Sequence, residues 1–369
     1  MRTEKRSTGI DFLRGIAVIL MVQQHLGFWL WEAGGSIQSN LNRHTAMVVL
    51  NGTGGIAAPF FIILAGFSAY LFLSKTDNNW EIFFRGLIIL FFGYLLNFIT
   101  PSWFSMSSWY VLHLIGFGLI VSPVLKKLSI KNIFLIVVFI VIITPLIHVY
   151  LKTPFITDNI FMRDSSKSFG SIKLILAQGH FAIFPWIGVF SLGFICGKIK
   201  ETAIKKLAML SATLIIISII IIILNLVFLS PLLHPYLSRF LFSSIYLYPL
   251  SPALFFLLSG LSIFMIFLFI YFNDRMKLGQ KNPVVNLGRI SLTVLFLHVF
   301  IFGEGSINFL YWKTFSTSGT IIITAIVLIL FTLSSVLWSK VDYRFSLEWI
   351  MRFFSRKIYN IFNNKLSSF

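Results

Sequence analysis

The sequence predicts an all-α fold: a polytopic membrane helical bundle of about ten transmembrane helices, with both termini cytoplasmic. Three observations predict it. The chain is 57% hydrophobic and only 11% charged, whereas a soluble domain carries about 25% charged residues. Its apolar runs are uninterrupted and about 20 residues long, the length a helix needs to cross the hydrocarbon core; barrel strands are about 10 residues of alternating character. Its basic residues recur on alternate connections, as the positive-inside rule requires of a chain that crosses repeatedly.

The 369 residues would allow two or three soluble domains. Continuous hydrophobicity argues instead for one bundle over 1–340, followed by a basic tail over 341–369. The single cysteine, Cys196, excludes an intramolecular disulfide and a cysteine metal cluster, and no metal is expected. The start "MRTEKR" precedes a long span without a small-residue cleavage pattern, so the first helix is expected to stay.

The spans fall at about 10–31, 55–74, 80–99, 107–125, 131–151, 174–197, 204–229, 246–272, 283–303 and 317–339. Arg2, Lys5 and Arg6 precede the first. Lys126, Lys127 and Lys131 follow the fourth, Lys198, Lys200, Lys205 and Lys206 the sixth, and Arg275, Lys277 and Lys281 the eighth. All fall on the side of the tail, which holds Lys340, Arg344, Arg352, Arg356, Lys357 and Lys365. The formal charge of +18 is thus an orientation signal, and no nucleic acid is expected as a partner.

The first span, "GIDFLRGIAVILMVQQHLGFWLW", carries ionisable groups that are costly in lipid and usually face a cavity or a partner. Arg14 and His25 are 11 residues apart, which returns to within about 20° of one face over an axial rise of ~16 Å. Asp11 lies near that stripe, and Gln24 stands beside its histidine. Facing inward, the stripe carries a cation at one end and an imidazole near mid-membrane; facing outward, Arg14 snorkels to lipid phosphate.

In the second span Pro59 and the small residues Gly55, Ala57, Ala58, Ala65 and Gly66 predict a broken or closely packed helix. Arg85 lies near the cytoplasmic end of the third. His113 in the fourth and His180 in the sixth read first as packed histidines. Pro185 should kink the sixth unless the helix begins there, and Trp186 suits a packed or interfacial site. The isoleucine-rich seventh reads as peripheral and lipid-facing. In the ninth, Arg289 and His298 are nine residues apart, on opposite faces of a regular helix and so not in one simple site. The tail "WIMRFFSRKIYNIFNNK" interleaves aromatic and basic residues at helical spacing, as an amphipathic helix on the inner membrane surface would. Two outward connections, 32–54 and 152–173, are longer than simple turns and are candidates for function.

The segments "RSTGIDFLRGIAVILMVQQH", "AAPFFIILAGFSAYLFL", "SSWYVLHLIGFGLIVSP", "HFAIFPWIGVFSLGFICGK", "YPLSPALFFLLSG" and "LGRISLTVLFLH" recur in order along most of the chain. Together they resemble the catalytic-domain family of heparan-α-glucosaminide N-acetyltransferase, within the wider transmembrane acyltransferase group. The Arg14–His25 spacing is also similar to that of bacterial membrane O-acyltransferases that decorate surface glycans. The resemblance implies a bundle that binds acetyl-CoA from the cytoplasm and passes the acyl group to a sugar on the far side; a multi-pass protein of the plasma membrane, with a glycan or glycolipid as acceptor, is expected. The family enzyme has an asparagine where this chain has His25, and its catalytic histidine lies further on, where this chain has Ser36 and then His44. Either His25 is the base or His44 reaches in from the loop.

Acyl transfer needs a base for the acceptor proton and donors for the oxyanion. His25 has the intrinsic pKa for the first task; His44 and His298 are the other catalytic candidates. Guanidinium–phosphate geometry makes Arg14, with Arg289 or Arg85, the candidates for coenzyme phosphates. Asp11, Gln24, His113, His180 and Trp186 are candidates for the acceptor side. The acceptor identity, N- versus O-acetylation and a homodimeric assembly stay open. Spacing alone also permits a transporter or lipid-linked sugar flippase, although no inverted repeat is evident.

Overall fold

The computed structural model describes residues 8–32, 44–76, 79–153, 170–200, 204–227, 235–242, 247–276 and 278–366. The elements are α1 (Thr8–Leu30), α2 (Thr45–Gly54), α3 (Ala57–Leu73), α4 (Asn79–Ile99), α5 (Val111–Lys127), α6 (Ile130–Tyr150) and α7 (Gly170–Lys173), which runs into a π-turn at Leu174–Gln178. There follow α8 (Ile183–Lys200), α9 (Ile204–Val227), α10 (Pro235–Leu237) with a π-turn at Ser238–Phe242, and α11 (Pro252–Met276). Then come α12 (Pro283–Arg289), α13 (Ser291–His298), a π-segment at Val299–Glu304, α14 (Gly305–Asn308), α15 (Thr317–Ser339) and α16 (Leu347–Leu366).

Each expected span contains helix among the described residues. Eight helices among the described residues are long and apolar enough to cross a membrane, and Ile183–Ile199 is a shorter apolar one. The fourth expected span is the 17-residue α5. Large apolar side chains are exposed along these helices, among them Ile216, Ile219, Ile220 and Ile223 on the isoleucine-rich α9.

Four local departures from uniform spans have physical causes. The connection expected over 32–54 is helical from Thr45, and α2 and α3 form one apolar stretch, Thr45–Leu73. Pro59 lies in the first turn of α3, where amides have no intrahelical partner to lose. Phe184 is extended (φ −95°, ψ 120°), so regular helix begins at Pro185, the position proline tolerates. The ninth span breaks at Ile290 (φ −116°, ψ 27°). Before that break, Asn282 caps α12, its side chain accepting from Val284 N and Val285 N ahead of Pro283. After it, the chain widens into the π-segment, a form common at functional sites.

The chain forms two compact units. The first is Met1–Phe61, Phe98–Trp103 and Phe269–Phe353. In it α1 packs against α12, α2, α15 and α13. The α1–α12 crossing is a backbone contact: a Cβ on Gly288 would strike the Asp11 carbonyl oxygen, and one on Gly15 the Val284 carbonyl. Small residues permit this approach where apolar burial gives helices no drive to associate. At the far end of α1, Lys313 N and Phe315 N donate to Trp29 O and Leu30 O at 2.8 and 2.9 Å, satisfying carbonyls that a helix end leaves open.

The second unit is Ile62–Asn97, Phe104–Leu268 and Phe354–Phe369. There α8 packs against α6, α5 and α9. Ser211 and Ser218 of α9 donate to Gly260 O and Ala253 O of α11, each at 2.8 Å. Phe354, Ile358 and Ile361 of α16 are exposed, beside the exposed Arg356 and Lys357. That is the side-chain pattern of a helix lying in a membrane interface.

Candidate functional site

Two polar clusters lie along α1, both within the first unit. The first is centred on Asp11, which is fully buried. One carboxylate oxygen accepts from Arg14 at 3.4 Å and the other from Arg289 Nε at 3.3 Å. The glycine crossing described above brings α12 close enough for this pair. The remaining Arg289 nitrogens donate to the Tyr343 hydroxyl at 3.2 Å and to Gln280 Oε1 at 2.5 Å. Tyr343 in turn donates to Asn286 Oδ1 at 2.7 Å. Arg289, expected to assist Arg14 on coenzyme phosphate, is therefore bonded on three sides by protein and buried. Arg14 is the more exposed of the two, its side chain 28% accessible.

The second cluster lies 14 residues on, about 21 Å along the helix axis. His25 Nδ1 is 2.8 Å from His298 Nε2, the rings meeting edge to edge with centroids 5.1 Å apart and planes 20° apart. His298 is fully buried, and its Nδ1 lies 2.7 Å from the carbonyl of Val294 one turn back. His25 keeps partial exposure. Trp29 packs on both imidazoles, at 5.0 and 5.7 Å, and Trp103 stands edge-on to it at 5.4 Å.

A regular ninth helix would point Arg289 and His298 to opposite faces. The break at Ile290 changes the phase, so that both meet α1, Arg289 at the level of Asp11 and His298 at the level of His25. Glu348, at the start of α16, holds the second half in place. Its carboxylate accepts from Leu292 N at 2.5 Å, Thr293 N at 3.4 Å and Thr293 Oγ1 at 2.7 Å. An acidic group at the amides of a helix start satisfies open donors and complements the dipole. Burial pushes the Glu348 carboxyl above its ordinary range, against the opposing pull of these bonds.

Gln24 is half-buried against Gly54, while its neighbour Gln23 donates to Leu50 O and Thr53 Oγ1, both at 3.1 Å. His44 stands just before α2. Its Nδ1 is 2.7 Å from Thr317 Oγ1, which also accepts from Trp31 Nε1 at 3.0 Å, and its ring meets Trp31 edge-on at 5.6 Å. These contacts, with Thr317 and Trp31, differ from those of His25 with His298 and Trp29. Ser36 lies outside the described residues.

The other predicted residues belong to the second unit. Arg85 pairs with Glu81 and lies over the Phe72 ring at 4.3 Å. His113 is buried, accepts from Tyr110 N at 3.1 Å, and packs on Trp109 and Tyr94. His180 is buried between Tyr110 and Tyr248. Trp186 is fully buried against Phe181. No group of three or more His, Cys, Asp or Glu among the described residues is placed to hold a metal.

Sequence reasoning missed Tyr343, Gln280, Asn286, Glu348 and Trp29. The polar ones lie outside the spans or look like ordinary helix-end residues, and only the "NP" cap at 282–283 was a readable local signal. Chemically, the second cluster offers a proton acceptor backed by a second imidazole, and the first offers a partly exposed cation held by a buried carboxylate. Residues 6–208 match the family model described as "Heparan-alpha-glucosaminide N-acetyltransferase, catalytic". That match includes Arg14 and His25 and stops before Arg289 and His298. No curated protein matches the chain.

Proposed function

The chain belongs to the heparan-α-glucosaminide N-acetyltransferase catalytic family, a family of membrane acetyltransferases, and from that premise we propose its reaction in finer terms. It moves the acetyl group of cytoplasmic acetyl-CoA to an amine or hydroxyl of a sugar on the opposite side of the membrane, with His25 as the base. The observation that carries this reading is the contact between a partly exposed His25 and a buried His298 on the first-unit helices.

His25 takes the proton of the acceptor amine or hydroxyl as its nitrogen or oxygen bonds to the thioester carbonyl carbon. The carbon–sulfur bond then breaks, and the imidazolium returns that proton to the departing thiolate. General-base assistance of this kind contributes about 10²–10⁴-fold. Arg14 is the group for the coenzyme phosphates, because a guanidinium keeps its charge and its bidentate donors at every relevant pH. Arg289 braces Arg14 through the shared Asp11. The positive-inside charge distribution supports a cytoplasmic position for the Arg14 end of α1.

The test uses the full chain in detergent with acetyl-CoA labelled in its acetyl group and glucosamine as the acceptor. Label on the sugar supports the reading, and resistance of that label to alkaline hydroxylamine distinguishes amide from ester. Failure to bind acetyl-CoA and to release CoA with glucosamine or N-acetylglucosamine would overturn it. Unmodified sugar crossing proteoliposomes would instead make the protein a transporter.

A further inference from the structure

The His25–His298 contact has a direction, and it originates in a backbone carbonyl. Val294 O can only accept, so the 2.7 Å contact requires a proton on His298 Nδ1. A neutral His298 protonated there has a bare Nε2. That nitrogen can only accept, and it lies 2.8 Å from His25 Nδ1, which must then carry its own proton. A neutral His25 protonated at Nδ1 has its lone pair at Nε2. Each imidazole is thus left with one orientation of its single proton.

We propose that His298 is a positioning residue that fixes His25 in the Nδ1–H tautomer, so that Nε2 is the nitrogen that accepts the acceptor's proton. This rests on the reading of His25 as base and adds to it an atom and a mechanism. The arrangement follows the base–orienter logic of a Ser-His-Asp triad, with a neutral imidazole on a carbonyl in the place of aspartate. His298 is fully buried, so water does not compete for its Nε2. The two rings meet edge to edge within 20° of coplanar, which suits an in-plane hydrogen bond, and the Trp29 ring against both restricts rotation of either. Glu348 caps the helix that carries Val294 and His298 together, so the carbonyl and the ring move as one body. When His25 becomes imidazolium, its Nδ1–H bond to His298 becomes charge-assisted and stronger, so the orienting contact tightens as the proton transfers.

Two measurements test this. In full-length protein labelled at the histidine ring nitrogens, magnetic resonance distinguishes protonated from bare nitrogens, and spectra of His25→Gln and His298→Gln assign the pair. The expected result is protonated Nδ1 and bare Nε2 on both residues; a protonated Nε2 on neutral His25 would overturn the proposal, whatever the protein's activity. Kinetically, with acetyl-CoA and glucosamine, His298→Leu is expected to lower kcat about 10–100-fold, by analogy with the loss when the hydrogen-bond partner of a metal-ligating histidine is removed, with KM for acetyl-CoA unchanged. His298→Gln, whose side-chain oxygen can accept from Nδ1–H, is expected to recover most of that loss. Equal loss in both variants, or wild-type kcat in His298→Leu, would overturn the positioning role. An inactive wild type with the expected tautomers would count against the acetyl-transfer reading alone.

Discussion

Asp11 and Arg289 are 278 residues apart in sequence and meet at 3.3 Å with the aspartate fully buried. A buried pair is weak evidence for stability as such, since desolvation offsets much of the attraction. Removing Arg289 is different, because the buried Asp11 carboxylate then leans on the partly exposed Arg14 at 3.4 Å. Arg289→Met is therefore expected to lower the unfolding free energy by about 3–5 kcal/mol. Arg14→Ala, on the partly exposed side of the same carboxylate, is expected to cost about 0–1 kcal/mol while raising the dissociation constant for acetyl-CoA. Unfolding in detergent and isothermal binding of acetyl-CoA measure the two effects. Loss of binding in Arg14→Ala with wild-type stability is the signature of a ligand-facing arginine.

The same pair depends on how closely two backbones approach. A methyl group on Gly288 would occupy the space of the Asp11 carbonyl oxygen, and a backbone atom cannot swing aside as a side chain can. Gly288→Ala is expected to force α1 and α12 apart, at a cost of about 1–3 kcal/mol or more for overpacking. Gly279→Ala, where an added Cβ meets nothing within 4 Å, is the matched control. Thermal melts of the two variants should separate clearly.

These contacts indicate what was legible in the sequence. The helices were, because continuous apolar runs admit no other backbone solution in lipid. The alignment of Asp11, Arg14 and His25 followed from the helical repeat. The partnership of His25 with His298 did not, since a regular ninth helix cannot direct Arg289 and His298 to the same neighbour. The break that permits it, at Ile290, carries no proline or glycine of its own. It is held from a distance, by Glu348 on the amides of α13 and Tyr343 beside Arg289, and nothing in a local window announces those contacts. The same applies to α2, which sits in a stretch whose glycines, asparagines and serines read as a connection.

Glu348 makes the break testable by pH. Burial raises its folded pKa above the unfolded value, so the folded state binds more protons between the two values. Its contribution to stability is fully present below the unfolded carboxyl pKa and declines as pH rises through the folded one. Glu348→Gln keeps an acceptor oxygen without the charge and is expected to flatten that dependence. Glu348→Ala removes the cap and is expected to cost about 0.5–2 kcal/mol. Unfolding free energies of the three proteins across the carboxyl range check the sign.

His25 and His44 make separable predictions because their partners differ. His25→Gln is expected to lower kcat by about 10²–10⁴-fold with acetyl-CoA binding retained. His44→Gln removes the bond to Thr317 near Trp31 and is expected to leave kcat within a few-fold of wild type. Single-turnover rates with labelled acetyl-CoA and glucosamine decide the matter. A reversed pair of results would move the base to the loop histidine.

Trp29 is the last buried group against the two imidazoles, and its energetics are unusual. It is 1% exposed, yet its indole N–H has no hydrogen-bond partner among the described residues. An unsatisfied buried donor costs about 1–3 kcal/mol, and Phe keeps an aromatic face while removing that donor. The lost ring area and the relieved N–H therefore oppose one another, and Trp29→Phe is expected to stay within about 1 kcal/mol of wild-type stability. Trp29→Ala opens a cavity with no such offset, at about 3–5 kcal/mol, and frees both imidazoles to rotate, so kcat should fall with it. Equal destabilisation by Phe and Ala would mean that the N–H has a partner that stabilises it. Chemical unfolding of both variants, paired with their turnover, separates packing from polarity at this position.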